Sequence, residues 1–159
     1  MKAKDIMTRD IICVTRDVGI RAAFEVMHSR RVRHLPVVEG TRLLGIISDR
    51  DLLPFTKDGR VVEDRPVEQV MSALPVVAGP KTQVWRAAQN MLQYNIDALP
   101  VVKGDELVGL LTTTDLLLLL LSRFDAEGEL PFEFNLVPMR TLDQLRKEMG
   151  PAFEVVRTP

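Results

Sequence analysis

Hydrophobic positions fall in short runs along the chain, and each run has a counterpart further on. Leu35-Pro36-Val37-Val38 and Leu43-Leu44-Gly45-Ile46-Ile47 read as two strands joined by a turn at Glu39-Gly40-Thr41. Leu99-Pro100-Val101-Val102 and Leu107-Val108-Gly109-Leu110-Leu111 repeat the arrangement around Lys103-Gly104-Asp105. Ahead of the first pair, Ile20, Ala23, Phe24 and Met27 recur at helical spacing and predict a helix from Gly19 to Ser29. Val84, Ala87, Ala88 and Met91 hold the same offsets ahead of the second pair. Earlier still, Ile11-Ile12-Cys13-Val14 predicts a short strand, matched by Pro75-Val76-Val77-Ala78. Residues 3–8 predict one helical turn, matched by 67–72, with Met7 falling on Met71. Ser48 is placed as an N-cap with Asp51 three residues on, and Pro54 cuts the helix it opens short. Thr112 and Asp115 open the second copy in the same way.

The displacement from Leu35 to Leu99 and from Gly45 to Gly109 is 64 positions, so the chain is a tandem repeat. Each copy reads strand–helix–strand–strand–helix, an α/β fold of the α+β kind. The copies span 1–62 and 63–124, with a polar linker over Thr56-Lys57-Asp58-Gly59-Arg60. At roughly 60 residues, neither copy buries its strands well alone, so the two share a core.

The second copy ends differently. Leu116 to Leu121 meets no early proline, so its helix continues to Phe124 and is apolar on every side. Residues 125–159 lie outside the repeat and read as a short β-α-β extension. Strands are expected over 131–137 and 152–157, with a helix opened by Thr141 and Gln144 between them.

Composition narrows the function. The formal net charge of −1 over 159 residues leaves no electrostatic footprint for nucleic acid or an anionic membrane. The leucine run is too short to span a bilayer. One cysteine, Cys13, excludes an internal disulfide framework and suits a reducing compartment. The charged N-terminus lacks the apolar stretch of a signal peptide. A cytoplasmic protein is expected.

Asp5-Ile6-Met7-Thr8, Leu35-Pro36-Val37-Val38 and Gly45-Ile46-Ile47-Ser48-Asp49-Arg50-Asp51 together resemble a CBS domain. Val70-Met71-Ser72, Leu99-Pro100-Val101-Val102 and Gly109-Leu110-Leu111-Thr112-Thr113-Thr114-Asp115 resemble a second, so residues 1–124 look like the tandem pair called a Bateman module. The resemblance implies pseudo-twofold packing of the repeats. It also implies two symmetry-related clefts for adenosine ligands: AMP, ADP or ATP, with S-adenosylmethionine or NAD as further candidates. In the Ser/Thr-x-x-Asp motif, the resemblance puts the hydroxyl on phosphate and the carboxylate on the ribose hydroxyls. It sets the residues before each Leu-Pro strand near phosphate. It further implies a homodimer assembled through helices, read by an effector protein.

The residue chemistry agrees with that role. A carboxylate can accept from both hydroxyls of a ribose diol, and a helix start offers N–H donors to phosphate. The ligand-binding candidates are Ser48, Arg50 and Asp51, with Arg33 and His34 beside them and Ile12 on the first strand. Val76, Ile96 and Asp97 are expected to add part of the base pocket from the other copy. Thr112, Thr114 and Asp115 form the second site. That site has Thr114 where the first has Arg50, and Asp97-Ala98 stand where the first copy has Arg33-His34. It is therefore expected to hold phosphate more weakly, unless Arg33 reaches across. The other reading of each motif is a helix-stabilising capping box, which makes the protein a structural or dimerisation module with vestigial sites. No nucleophile–base pair, paired acids, metal-ligand set or phosphate-cradling glycine loop is present, so neither an enzyme nor a required cofactor is expected. The dimer contact is expected at Leu118, Leu121 and Phe124, with Ile20, Phe24 or Val84.

Overall fold

The computed structural model describes residues 1–127, and Met1–Leu121 form one compact unit. The first copy runs α1 (Ala3–Ile6), β1 (Val14–Thr15), α2 (Ile20–Arg30), β2 (His34–Glu39), β3 (Arg42–Ser48) and α3 (Asp49–Leu52). A 3₁₀ turn at Leu53–Phe55 holds Pro54 and ends that helix, as its sequence requires. A small hairpin follows, β4 (Thr56–Lys57) with β5 (Arg60–Val61). The second copy has a 3₁₀ turn at Val67–Gln69, then β6 (Ser72–Ala73), α4 (Val84–Tyr94), β7 (Ala98–Lys103), β8 (Glu106–Thr112) and α5 (Thr113–Glu127). The expected β-α-β extension lies outside the described residues, apart from the end of α5.

Three expectations change. The strand expected over Ile11–Val14 shrinks to β1, because Ile11 and Ile12 turn to a cleft wall instead of joining β2. Of Pro75–Ala78 only Ala78 bridges, to Val101, since Pro75 has no N–H to give. The polar linker is the β4–β5 hairpin, whose Asp58 and Gly59 both take positive φ, the signature of a type I′ turn.

The two hairpins, β2–β3 and β7–β8, are antiparallel with matching registers and a bulge at the same place, Val37/Val38 and Val101/Val102. They meet only where their turns cross. The Leu43 N–H donates to the Asp105 carbonyl (3.0 Å), and the Leu107 N–H donates to the Thr41 carbonyl (2.9 Å). Each bond maps onto the other under the 64-residue displacement, so the pseudo-twofold axis runs between them.

The copies also exchange their leading segments. The Ala3 N–H donates to the Thr82 carbonyl (2.8 Å), and Thr8 pairs with Leu110 on β8. Symmetrically, the Val67 N–H donates to the Val18 carbonyl (2.8 Å), and Ser72 pairs with Ile46 on β3. Thus Ala3, Ile6 and Met7 pack into the core of Met91, Leu99 and Leu111. Val67, Val70 and Met71 pack into the core of Ile20, Leu35 and Ile47. The cores do not follow the halves of the sequence.

The outward faces depart from one expectation. Ile20 is fully buried and Val84 nearly so, because their helices turn that stripe to the sheet; neither is available to a partner. Leu117, Leu118 and Leu121 on α5 are more than half exposed, as are Trp85 and Leu92 on α4. No helix among the described residues is long and apolar enough to cross a membrane.

The exchange depends on two glycines. A Cβ on Gly45 would sit 2.6 Å from Met71 Sδ and 2.7 Å from the Ser72 carbonyl, part of the β3–β6 ladder. The three atoms nearest a Cβ on Gly109 would all belong to the flexible Met7 side chain. Gly45→Ala should therefore cost about 1–3 kcal/mol, as overpacking against fixed backbone does. Gly109→Ala should cost less, since Met7 can change rotamer. Urea denaturation of the two variants tests this difference.

Candidate functional site

Two clefts flank the pseudo-twofold axis. One, of about 210 Å³, is walled by Ser48, Arg50 and Asp51 from the first copy and Asn95, Ile96 and Asp97 from the second; Ile46, Ser72, His34 and Ala98 complete it. The other, of about 280 Å³, is walled by Thr112, Thr113 and Thr114 from the second copy and Arg31, Val32 and Arg33 from the first. Thr8, Asp10, Ile11, Ile12, His34, Asp97 and Leu110 complete that wall. Ser48, Arg50, Asn95, Ile96 and Asp97 map onto Thr112, Thr114, Arg31, Val32 and Arg33 under the displacement. The two cavities are therefore one site built twice. Both lie just below the roughly 300–1,000 Å³ usual for small-molecule pockets.

The motifs are organised alike. Asp51 Oδ2 accepts from the Ser48 N–H (2.7 Å) and the Ser48 hydroxyl (2.8 Å). Asp115 Oδ2 accepts from the Thr112 N–H (2.7 Å) and the Thr112 hydroxyl (2.7 Å). One carboxylate oxygen thus closes the capping box, and Oδ1 takes no part in these bonds. The strand enters and the helix leaves at this point, so each hydroxyl lines its cleft, and at the Ser48 cleft the carboxylate does too. Asp115 is held on Thr112 and is not itself among the wall residues.

The grouping of the candidates differs from the expectation. Arg33 and Ile12 belong with Thr112 and Thr114, not with Ser48. The residues after each helix cross the axis to face the other copy's motif, which local sequence does not disclose. Ile96 and Asp97 do face Ser48, as expected. Val76 walls neither cleft and packs instead against the second core. Arg31, Asn95, Thr8 and Ser72 were missed, although each pair is aligned by the repeat, the first just after the helices and the second just after the paired methionines.

His34 and Asp97 wall both clefts. Asp97 Oδ2 lies 3.0 Å from Arg50 and 3.6 Å from Arg33, whose Nε also pairs with Asp49 at 3.3 Å. The Asp97 carbonyl accepts from the Thr113 N–H, and the Arg33 carbonyl accepts from the Asp49 N–H, each at 3.0 Å. Burial, and next the Arg33 charge, push the His34 imidazole below its ordinary value, against the raising influence of Asp49, Asp97 and Asp51. Burial pushes the Cys13 thiol up, and Cys13 walls neither cleft. No group of three or more metal-ligating side chains occurs among the described residues.

The His34 shift has a sign in stability. The unfolded chain binds a proton near the ordinary value of 6.5, while the folded imidazole stays neutral to lower pH. Stability therefore falls as pH drops below 6.5 and goes on falling until the folded-state value is passed. His34→Gln should lose less stability than the parent between about pH 7.5 and 5.5, read from urea midpoints at each pH.

Residues 3–57 and 67–122 each match the CBS domain family. The chain is 37% identical over 114 residues to the CBS domain-containing protein YhcV of Bacillus subtilis (strain 168), covering 71% of this chain and 81% of that one. It is 32% identical over 115 residues to the inosine-5'-monophosphate dehydrogenase of Korarchaeum cryptofilum (strain OPF8), covering 72% of this chain. It spans only 23% of that enzyme's length. Among solved structures, it is similar to the CBS domain pair of protein MJ0100 in complex with 5'-methylthioadenosine and S-adenosyl-L-methionine. That match has a TM-score of 0.69 at 25% identity, covering 77% of this chain and 98% of the other. CBSX2 in complex with AMP matches with a TM-score of 0.67 at 27% identity, covering 77% and 97%.

Proposed function

The chain belongs to the CBS domain family as a tandem pair, and we propose that it is a regulatory module that binds adenosine ligands in its two clefts. The observation that carries this reading is the doubled hydroxyl–carboxylate pair, Ser48 with Asp51 and Thr112 with Asp115, set at two cavities of one design. The uncommitted Oδ1 of each carboxylate suits a ribose diol. The guanidinium groups of Arg31 and Arg33 suit phosphate oxygens. The similar pairs named with AMP, and with S-adenosylmethionine and 5'-methylthioadenosine, support the same ligand class. AMP, ADP and ATP are the first candidates, with S-adenosylmethionine and NAD behind them. Asp51 is tied into a capping box and Asp97 into ion pairs, which supports a binding site rather than an enzyme. Occupancy would be converted to a change of shape or dimer geometry read by an effector protein. The net charge of −1 supports a cytoplasmic role apart from nucleic acid and membranes.

Thermal shift with AMP, ADP, ATP, NAD and S-adenosylmethionine tests this reading. A ligand at 100 times its Kd should stabilise the protein by about 2.7 kcal/mol. Asp51→Ala and Asp115→Ala each remove one ribose anchor. Each should weaken binding in its own cleft by about 1.5–3 kcal/mol in calorimetry, with a capping cost of about 1 kcal/mol to the fold. Undiminished binding in both variants would exclude the ribose role.

The second reading, a dimerisation module, is favoured by the exposed leucines of α5 and by exposed Trp85 and Leu92 of α4. The two roles are compatible, and we propose a homodimer formed through the exposed leucines of α5. Sedimentation should give twice 17.9 kDa at micromolar protein, and Leu118→Asp should return the monomer. A mass of 17.9 kDa at all concentrations would refute the dimer.

A further inference from the structure

We propose that the two clefts divide their ligands by charge, the Thr112 cleft taking a phosphate-bearing adenosine nucleotide and the Ser48 cleft an adenosine nucleoside without phosphate. This rests on the reading that both clefts hold adenosine ligands, and adds which ligand each accepts.

The pseudo-twofold axis supplies the control, because wall positions compare one to one. Arg31 and Arg33 wall the Thr112 cleft, and their mates in the Ser48 cleft are Asn95 and Asp97. The Thr112 wall thus sets two guanidinium groups against the carboxylates of Asp10 and Asp97. The Ser48 wall has a single guanidinium, Arg50, against Asp51 and Asp97. Arg50 is also already engaged, since Asp97 Oδ2 holds it at 3.0 Å. A phosphate entering there would have to break that pair and then lie beside two carboxylates. In the Thr112 cleft Arg33 is engaged too, 3.3 Å from Asp49 and 3.6 Å from Asp97, but Arg31 stands in no ion pair among the described residues and adds a second forked donor that the Ser48 cleft lacks.

The backbone at Arg31 points the same way. Arg31 ends α2 with φ 54° and Asn95 ends α4 with φ 52°, both in the left-handed region. Asparagine tolerates that conformation, whereas arginine adopts it at a cost. The strained residue stands on the wall that gathers positive charge, and the relaxed one on the wall that does not.

Calorimetry with ADP and with adenosine tests the division. The parent should bind one ADP per chain, and the ADP-saturated protein should still bind one adenosine. Arg33→Gln and Arg31→Asn should weaken ADP binding at least about tenfold, the least expected from losing a charge-assisted bond to phosphate. Arg50→Gln should weaken ADP binding less than Arg33→Gln does. Arg33 and Arg50 are largely exposed, and Arg31→Asn relieves strain, so a melt at or above the parent's should accompany the Arg31 result. Asp97→Asn should open a second ADP site. Two equal ADP sites in the parent, ADP lost with Arg50 rather than Arg33, adenosine fully displaced by ADP, or one ADP site persisting in Asp97→Asn would each overturn the division. Absence of binding by either ligand would overturn the adenosine reading and this proposal with it.

Discussion

The paired backbone hydrogen bonds from Leu43 to Asp105 and from Leu107 to Thr41 fix how the two copies face each other. They are the only ladder contact between the β2–β3 and β7–β8 hairpins, and they lie on the turns. Because the contact is so small, it needs support. The exchanged segments provide it: Met1–Thr8 lies across the second copy's core and Arg65–Ala73 across the first. Each crossing segment also satisfies a helix start. The Ile20 N–H donates to the Arg65 carbonyl and the Val84 N–H to the Met1 carbonyl, which covers for Gly19 and Gln83, N-caps without a side-chain bond. The axis, the cores and the helix ends are thus one linked arrangement, and both clefts open along it.

Burial explains why the chemistry collects there. Every buried side chain of the two cores is apolar, and among the described residues none of the buried ones is polar or charged. Polar side chains needing partners are displaced to the seams between copies, where strands end and helices begin. Ser48, Asp51, Thr112 and Asp115 are half-buried there and satisfy one another. An apolar core offers a leftover hydroxyl or carboxylate no partner, at a cost of about 1–3 kcal/mol for each unmade bond.

The sequence carried the elements and the motifs, since both are local. Helical spacing placed α2 and α4, and the capping boxes placed Ser48 and Thr112 at helix starts. The 64-residue displacement paired Met7 with Met71 but could not say that each serves the other copy's core. For the same reason local sequence groups Arg33 with Ser48, while the axis carries the end of α2 to the wall of the Thr112 cleft. The hairpin at Thr56–Val61 is hard to read because its strands are two residues each and carry a single buried apolar residue, Val61, though Asp58-Gly59 is a hairpin turn sequence. Val76 and Ile12 share a repeat position but not a role; Ile12 meets a cleft and Val76 a core.

The symmetry broken at the walls bears on how occupancy could be felt elsewhere. The Arg50–Asp97 and Arg33–Asp97 pairs are partly exposed, and pairs of that kind are worth about 0.2–1 kcal/mol. Alone they couple the clefts only weakly. The backbone ties are stiffer. The Asp97 carbonyl holds the Thr113 N–H, and Asp115 is bound to Thr112, so the wall of each cleft is fastened to the first turn of α5. Leu117, Leu118 and Leu121 lie within two turns of that point on the same helix. On the proposed function, a displacement of the wall would be passed along α5 toward the exposed leucines. The Ser48 cleft reaches the same helix through Asp97, whereas its own α3 is a single turn that Pro54 ends. On that reading, the two sites would share one mechanical outlet.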